Sequence, residues 1–222
     1  MKTNIYIPAR YKSKRFPGKL LKIIKKKTIL EHVAKKVDNI NLRPIIITGD
    51  KKIILLLKKK KINFLISKKK HISGMSRVSE KIKLKNPKII FLLFCDELYL
   101  SENDINKFIF FVKKDKKSEC WHLLTNIIKE DKADKNVVKV ELNNKSEIID
   151  LSRKYKKNFD YKCVGLFAFK KEILINYCKF KNSSREIKMK VEQFKLLDNN
   201  IKIKSLIIKN IVNSINSIND LR

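Results

Sequence analysis

Apolar residues in this chain come in short runs parted by basic segments, and the spacing within each run predicts whether it is a strand or a helix. Four runs in the first half, at residues 5–7, 44–50, 62–66 and 88–95, are short and nearly continuous, the pattern of strands buried on both faces. Between them the apolar positions recur every three or four residues. Ile29, Val33, Ala34 and Val37 form one such stripe, with Thr28 placed to cap it and Glu31 in its first turn, where the helix dipole favours an acid. Ile53, Ile54, Leu56 and Leu57 form a second within 51–60, a third runs through Val78 and Ile82, and a fourth helix is expected at 103–112. Strand alternating with helix predicts a parallel sheet covered on its faces, with right-handed crossovers and ligands at the carboxyl ends of the strands.

The second half reads differently. Strands at 121–128, 136–142, 147–151 and 162–169 succeed one another, and Asn143-Asn144-Lys145 reads as a hairpin turn, so antiparallel pairing is expected here. A helix at 185–198, with Ile187, Val191, Phe194 and Leu197 on one face, and a strand at 201–208 complete the pattern. The chain ends in a segment at 213–221 where Asp220 is placed to cap a C-terminal helix.

Composition narrows the function. At 222 residues the chain suits a single α/β domain with a substantial core, and no run of 18 uncharged apolar residues exists, so no membrane insertion is expected. Only four residues precede the first strand, which leaves no room for a signal peptide and predicts a cytoplasmic protein. Cys95, Cys120, Cys163 and Cys178 are scattered, as are His32, His71 and His122, so any metal is expected on oxygen ligands. The net charge of +32 would suit a nucleic-acid partner, but the lysines are spread along the chain and no nucleic-acid-binding motif appears. No specific nucleic acid is expected, only nonspecific polyanion binding at low salt.

Two places carry candidate chemistry. The first strand runs into Pro8, which has no N–H for a ladder, and then into a basic loop where Arg10, Arg15 and Lys19 surround the turn dipeptide Pro17-Gly18. Arginine is scarce in this chain, yet two arginines stand in this loop, and guanidinium binds phosphate bidentately as lysine does not. Such a loop suits a polyphosphate, although charge alone would equally make it a solvated turn. The longest apolar run ends in Asp96-Glu97, a carboxylate pair whose burial is costly without a compensating cation. Mg2+ held by Asp96 would compensate it; alternatively the pair simply caps the next helix.

Residues 8–19, Pro-Ala-Arg-Tyr-Lys-Ser-Lys-Arg-Phe-Pro-Gly-Lys, resemble the signature PARxxSxRxPGK of the sugar-acid cytidylyltransferases, most closely of their 3-deoxy-manno-octulosonate branch. Further segments follow in the family's order. His71, Ser73, Gly74 and Arg77 match HxSGT and its following arginine, and Asp96-Glu97 match QGDEP. Asn136 to Val140 match NxVKV, Ser152-Arg153 match SR, residues 164–169 match the segment around Gly165, and Glu192-Gln193 match EQLRxL. The resemblance implies a nucleotide-diphospho-sugar transferase fold, an α/β three-layer sandwich on a mixed, mostly parallel sheet with a small antiparallel subdomain.

It also implies a reaction that joins CTP to a sugar acid and releases pyrophosphate, with Mg2+ as cofactor, in a homodimer. On that basis Pro8, Ala9, Arg10, Arg15, Lys19, Ser73, Gly74 and Arg77 would bind the nucleotide, with Arg10, Lys19 and Asp96 catalytic. Glu97, Ser152, Arg153, Gly165, Glu192 and Gln193 would serve the sugar acid, residues 118–170 forming its subregion and the dimer contact. Asp96 and Asn216 would hold the metal, Asn216 standing where the family has a second aspartate. Departures gather on the sugar side. Phe94 replaces a glutamine, Cys163 a histidine and Met189 an acid, and the loop after Arg153 is short. A different sugar acid, or a nucleotide-binding homologue with weakened turnover, is therefore the alternative.

Overall fold

The protein is described by a computed structural model covering residues 3–12 and 16–221. Its centre is a sheet whose main path runs β11 (Ile203–Ile208), β7 (Cys120–Asn126), β10 (Tyr161–Lys170), β6 (Ile89–Leu93), β1 (Asn4–Pro8), β4 (Arg43–Thr48) and β5 (Phe64–Ile66). Only β10 is antiparallel to its neighbours in that path. A hairpin of β8 (Lys139–Leu142) and β9 (Ile148–Ser152), turned at 143–146 where the sequence predicts it, joins β10 and brings the sheet to nine strands. A separate ribbon of β2 (Ile23–Ile24) and β3 (Lys27–Thr28) lies in the stretch the hydrophobic pattern leaves without an element.

Strand alternation sorts the core into two layers. Ile5, Ile7, Phe91 and Leu93 face one side, where α1 (Ile29–Asn39), α2 (Lys51–Lys59) and α4 (Glu102–Lys114) cover them. Tyr6, Ile90 and Leu92 face the other, packed with α3 (Gly74–Ser79), α6 (Lys171–Asn176) and α8 (Gln193–Leu197). The helix starts follow local chemistry. Thr28 Oγ1 accepts from Glu31 N at 3.2 Å while Glu31 accepts from Thr28 N at 2.9 Å, a capping box that fixes α1. Ser73 and Ser101 cap α3 and α4 in the same way, their hydroxyls accepting from Ser76 N and Asp104 N.

Four further elements differ from the sequence-based expectation. The single helix at 185–198 is two, α7 (Ser184–Met189) and α8, broken where Lys190 adopts a left-handed conformation with φ 53°. The turn α5 (Lys129–Ala133) and the helix α6 are too short to show a helical period. The C-terminal helix is one 3-10 turn at Ile218–Asp220, with Asp220 accepting from Asn216 N and Ser217 N at 2.7 Å.

Candidate active site

Main-chain and side-chain bonds together set the described part of the loop after β1, with Ala9 N donating to Ile47 O at 2.9 Å and Gly18 N to Tyr11 O at 3.3 Å. Tyr11 N donates to Asp50 Oδ2 at 2.8 Å, and Gly18, at φ 70°, turns the chain into the 3-10 turn Lys19–Leu21. This brings Pro8, Ala9, Arg10 and Lys19 to one wall of a cavity of about 200 Å3 at the carboxyl end of the sheet. The opposite wall is the start of α3, with Ser73, Gly74 and Arg77. Arg15 lies outside the described residues. Burial lowers the pKa of Arg77 from the ordinary guanidinium value, Asp50 works against that, and the positive charge of Arg10 adds to it. Two guanidinium groups that feel each other across an open cavity suit a phosphate chain.

Gly74 is required here. A Cβ at that position would stand 2.6 Å from Cε1 of Phe94, whose ring fills the space. Glu192 then organises the amides at the head of α3. Its Oε1 accepts from Gly74 N and its Oε2 from Met75 N, both at 2.7 Å. Burial raises the pKa of this carboxyl, and the two N–H donors pull it back. Glu192, expected at the sugar acid, thus holds the wall of the first cavity at 73–77 while also lining the neighbouring one.

That second cavity, about 530 Å3, shares Phe94, Asp96 and Glu192 with the first. Glu97, Arg153, Gly165, Gln193 and Asn216 line it too, so most of the expected sugar-acid residues converge. Ser152 is the exception. It lines neither cavity; its side chain is turned into the hairpin, where Oγ accepts from Lys154 N at 2.9 Å. Arg153 reaches the cavity but directs its guanidinium at main-chain carbonyls. Nε donates to Met189 O at 2.8 Å, Nη1 to Asn136 O at 2.9 Å, and Nη2 to Lys190 O at 3.1 Å. It therefore ties the break between α7 and α8 to the segment before β8.

Asp96 stands at the junction of the two cavities. Lys19 Nζ donates to its Oδ2 at 3.0 Å and to Ile215 O at 2.8 Å, so the phosphate-loop lysine and the acid are in direct contact. Glu97 is buried behind it. Its Oε1 accepts from Gly165 N at 2.8 Å and Ser214 Oγ at 2.6 Å, while Oε2 has no partner among the described residues. Burial, with the charge of Asp96 adding to it, pushes this carboxyl up to about 7.

Sequence reasoning missed the strap that completes the site. The segment 210–216 crosses the carboxyl ends of the strands, pinned at nearly every residue. Thr125 Oγ1 donates to Asn210 O at 2.7 Å, Ser214 holds Glu97, and Ile215 N donates to Asp96 O at 3.0 Å. Buried Lys162 donates to Asn213 Oδ1 at 2.7 Å and pairs with Asp131 at 2.7 Å. No periodicity marks these contacts; the sequence signal was the resemblance that set Asn216 where the family has a second aspartate.

A metal would find two oxygen donors on the same cavity wall, the Asp96 carboxylate and the amide oxygen of Asn216, whose Nδ2 donates to Ser214 O at 3.3 Å. Among the described residues no group of three His, Cys, Asp or Glu side chains could hold an ion. Such a sparse set fits an ion that takes most of its ligands from water and phosphate, as Mg2+ does.

The profile of the family described as "Cytidylyltransferase" matches residues 5–203, from the first strand to the start of the last. The chain belongs to the cytidylyltransferase family. The 3-deoxy-manno-octulosonate cytidylyltransferase of Fusobacterium nucleatum is 31% identical, the match covering 90% of this chain and 86% of that one. That of Thermodesulfovibrio yellowstonii is 30% identical over 92% of this chain and 89% of its own. Among solved structures, a CMP:2-keto-3-deoxy-manno-octonic acid synthetase complexed with CTP superposes with a TM-score of 0.87 at 24% identity, covering 98% of this chain and 94% of that one. The inositol-1-phosphate CTP transferase of T. maritima gives 0.74 at 13% identity, over 100% and 92%. These two likenesses show the shared fold of this cytidylyltransferase-family chain.

Proposed function

We propose that this chain transfers the cytidylyl group of CTP to 3-deoxy-manno-octulosonate, giving the CMP-sugar and pyrophosphate. The observation that carries the reading is the meeting of two cavities at one wall, Phe94, Asp96 and Glu192, with the phosphate-binding loop on one side. CTP would lie in the smaller cavity with its phosphates along Arg10, Lys19 and Arg77, and the acid in the larger one. The sugar's anomeric hydroxyl attacks the α-phosphorus, the bond to the bridging oxygen of the β-phosphate breaks, and pyrophosphate leaves with that electron pair. Negative charge grows on the phosphoryl oxygens, and Arg10 and Lys19 are placed to balance it. Lys19 can do so without leaving Asp96: an ammonium has three donors, and Asp96 and Ile215 take two. Asp96 and Asn216 would hold Mg2+, which when bound would polarise the α-phosphate.

A second reading keeps the chemistry and changes the acid. Phe94 offers the acceptor cavity a ring and no hydrogen bond, and packs on Phe167 with centroids 5.4 Å apart. That favours an acceptor with an apolar face at this wall. The reading also carries a homodimer joined through residues 118–170, which sedimentation tests, and a cytoplasmic location; no helix among the described residues is long and apolar enough to cross a membrane.

The deciding experiment measures pyrophosphate release with CTP and Mg2+ over a panel of sugar acids that includes 3-deoxy-manno-octulosonate, with UTP as control. Release with that acid supports the first reading, and release only with another supports the second. CTP binding without release from any acid would overturn both and leave a nucleotide-binding homologue.

A further inference from the structure

A cavity of about 940 Å3, larger than either at the site, opens at the other end of the sheet. Asn4 and Arg43, the first residues of β1 and β4, line it, so the length of a six-residue strand, roughly 20 Å, separates it from the carboxyl ends. Ala34, Leu42 and Pro44, all buried, give it an apolar floor, extended by Ile62 and Pro87. Six cations surround that floor: Lys27, Lys35, Arg43, Lys60, Lys61 and Lys85. Two acids, Glu31 and Asp38, stand against them.

The acids leave most of this charge unanswered. Glu31 is already committed, with Oε1 2.8 Å from Lys60 Nζ and Oε2 accepting from both Thr28 N and Thr28 Oγ1. Among the described residues the other five cations make no ion pair. Lys27 and Lys35 flank Glu31 four residues to either side, and the neighbouring Lys35 lowers the pKa of Lys27 from the ordinary lysine value while Glu31 works against it. Two like charges held together are unfavourable unless an anion bridges them. Lysine is spread over the whole chain, so charge by itself does not single out this place. The concavity, the apolar floor and the ring of six cations around it do.

We propose that this cavity is a second ligand site, separate from the catalytic one, that takes an organic polyphosphate. One phosphate would bridge Lys27 and Lys35, another would meet Arg43, Lys61 or Lys85, and an apolar or aromatic body would cover the floor. A single inorganic anion would leave half of the rim and all of the floor unused.

Isothermal titration with ATP at 150 mM KCl tests it, on an Arg10→Ala background that weakens the catalytic cavity. One saturable event is expected, weakened at least tenfold by K27Q/K35Q/R43Q and unchanged by K116Q/K117Q/K188Q, which removes equal charge from exposed lysines elsewhere. Inorganic tripolyphosphate should bind several-fold more weakly than ATP. Absence of saturable binding, or equal loss in the two triple variants, overturns the site; tripolyphosphate binding as tightly as ATP overturns the organic class. Should the first triple variant melt early, K35E, at an exposed position, is expected to weaken ATP about fivefold and decides the matter. The readout is binding alone, so failure of the cytidylyl-transfer reading leaves it standing.

Discussion

At the scale of single residues, the contact between Lys19 and Asp96 couples the phosphate loop to the acid at the cavity junction, and the two sides can be tested separately. Asp96→Asn keeps a side-chain oxygen for Lys19 and leaves the main-chain carbonyl to Ile215 N, so the fold should hold while turnover falls by two to three orders of magnitude, about 3–4 kcal/mol in the transition state. Arg10→Ala removes an exposed side chain, and a comparable loss of turnover with unchanged melting is expected. Retained turnover in both variants would overturn this assignment of the site. Under the proposed metal site, Asn216→Asp would add a second carboxylate beside Asp96, so half-maximal Mg2+ should shift downward; an unmoved Mg2+ titration would count against that site. Arg10, Lys19, Gly74 and Asp96 were legible in the sequence because they belong to a spaced signature whose chemistry needs those residue types. The partners of Arg153 and Ser152 were not legible, because which carbonyl a guanidinium meets, or which way a strand hydroxyl turns, depends on how the chain packs around them.

At the scale of elements, the strands of the main sheet were legible because continuous β-branched and aromatic runs leave little choice, whereas the break at Lys190 was hidden by an unbroken helical period on both sides. The break matters, since it presents Glu192 to the first turn of α3. Glu192→Gln leaves one acceptor for two N–H groups and should raise the KM for CTP several-fold and lower stability by about 1–3 kcal/mol; an unchanged KM would make Glu192 purely a packing residue. On β7, His122 stacks on Phe167 at 4.0 Å, with Nε2 2.9 Å from Val164 O. Burial lowers its pKa to about 3, the Val164 carbonyl working weakly against it. The unfolded chain takes up this proton near pH 6.5 and the folded one only near 3. Stability is therefore fully present above 6.5 and lost as pH falls toward 3, with a slope approaching about 1.4 kcal/mol per pH unit. From pH 7.5 to 5 the neutral, buried His122 should cost the native protein about 2 kcal/mol, so urea unfolding of His122→Gln should show a fall smaller by that amount; an equal fall in both proteins would place the acid sensitivity elsewhere.

At the scale of the whole molecule, the charge of +32 sets two responses to salt against each other. Like charges spread over a folded surface repel, and the compact state bears more of that repulsion than the extended chain. Ion pairs pull the other way, but those at the surface are worth about 0–1 kcal/mol each and are too few to offset the excess. Salt screens both over a Debye length of about 10 Å at 0.1 M. Raising KCl from 20 to 300 mM should therefore raise the melting temperature. CTP is a polyanion drawn in by the same field and by Arg10, Lys19 and Arg77, so its KM should rise over the same range. The two curves should move together with salt, one reporting relief of repulsion in the fold and the other loss of attraction at the site. A melting temperature that falls with salt would mean that the ion pairs outweigh the excess lysine. A KM that stays flat while melting rises would mean that CTP is held by short-range contacts at the head of α3, shielded from the field of the surface.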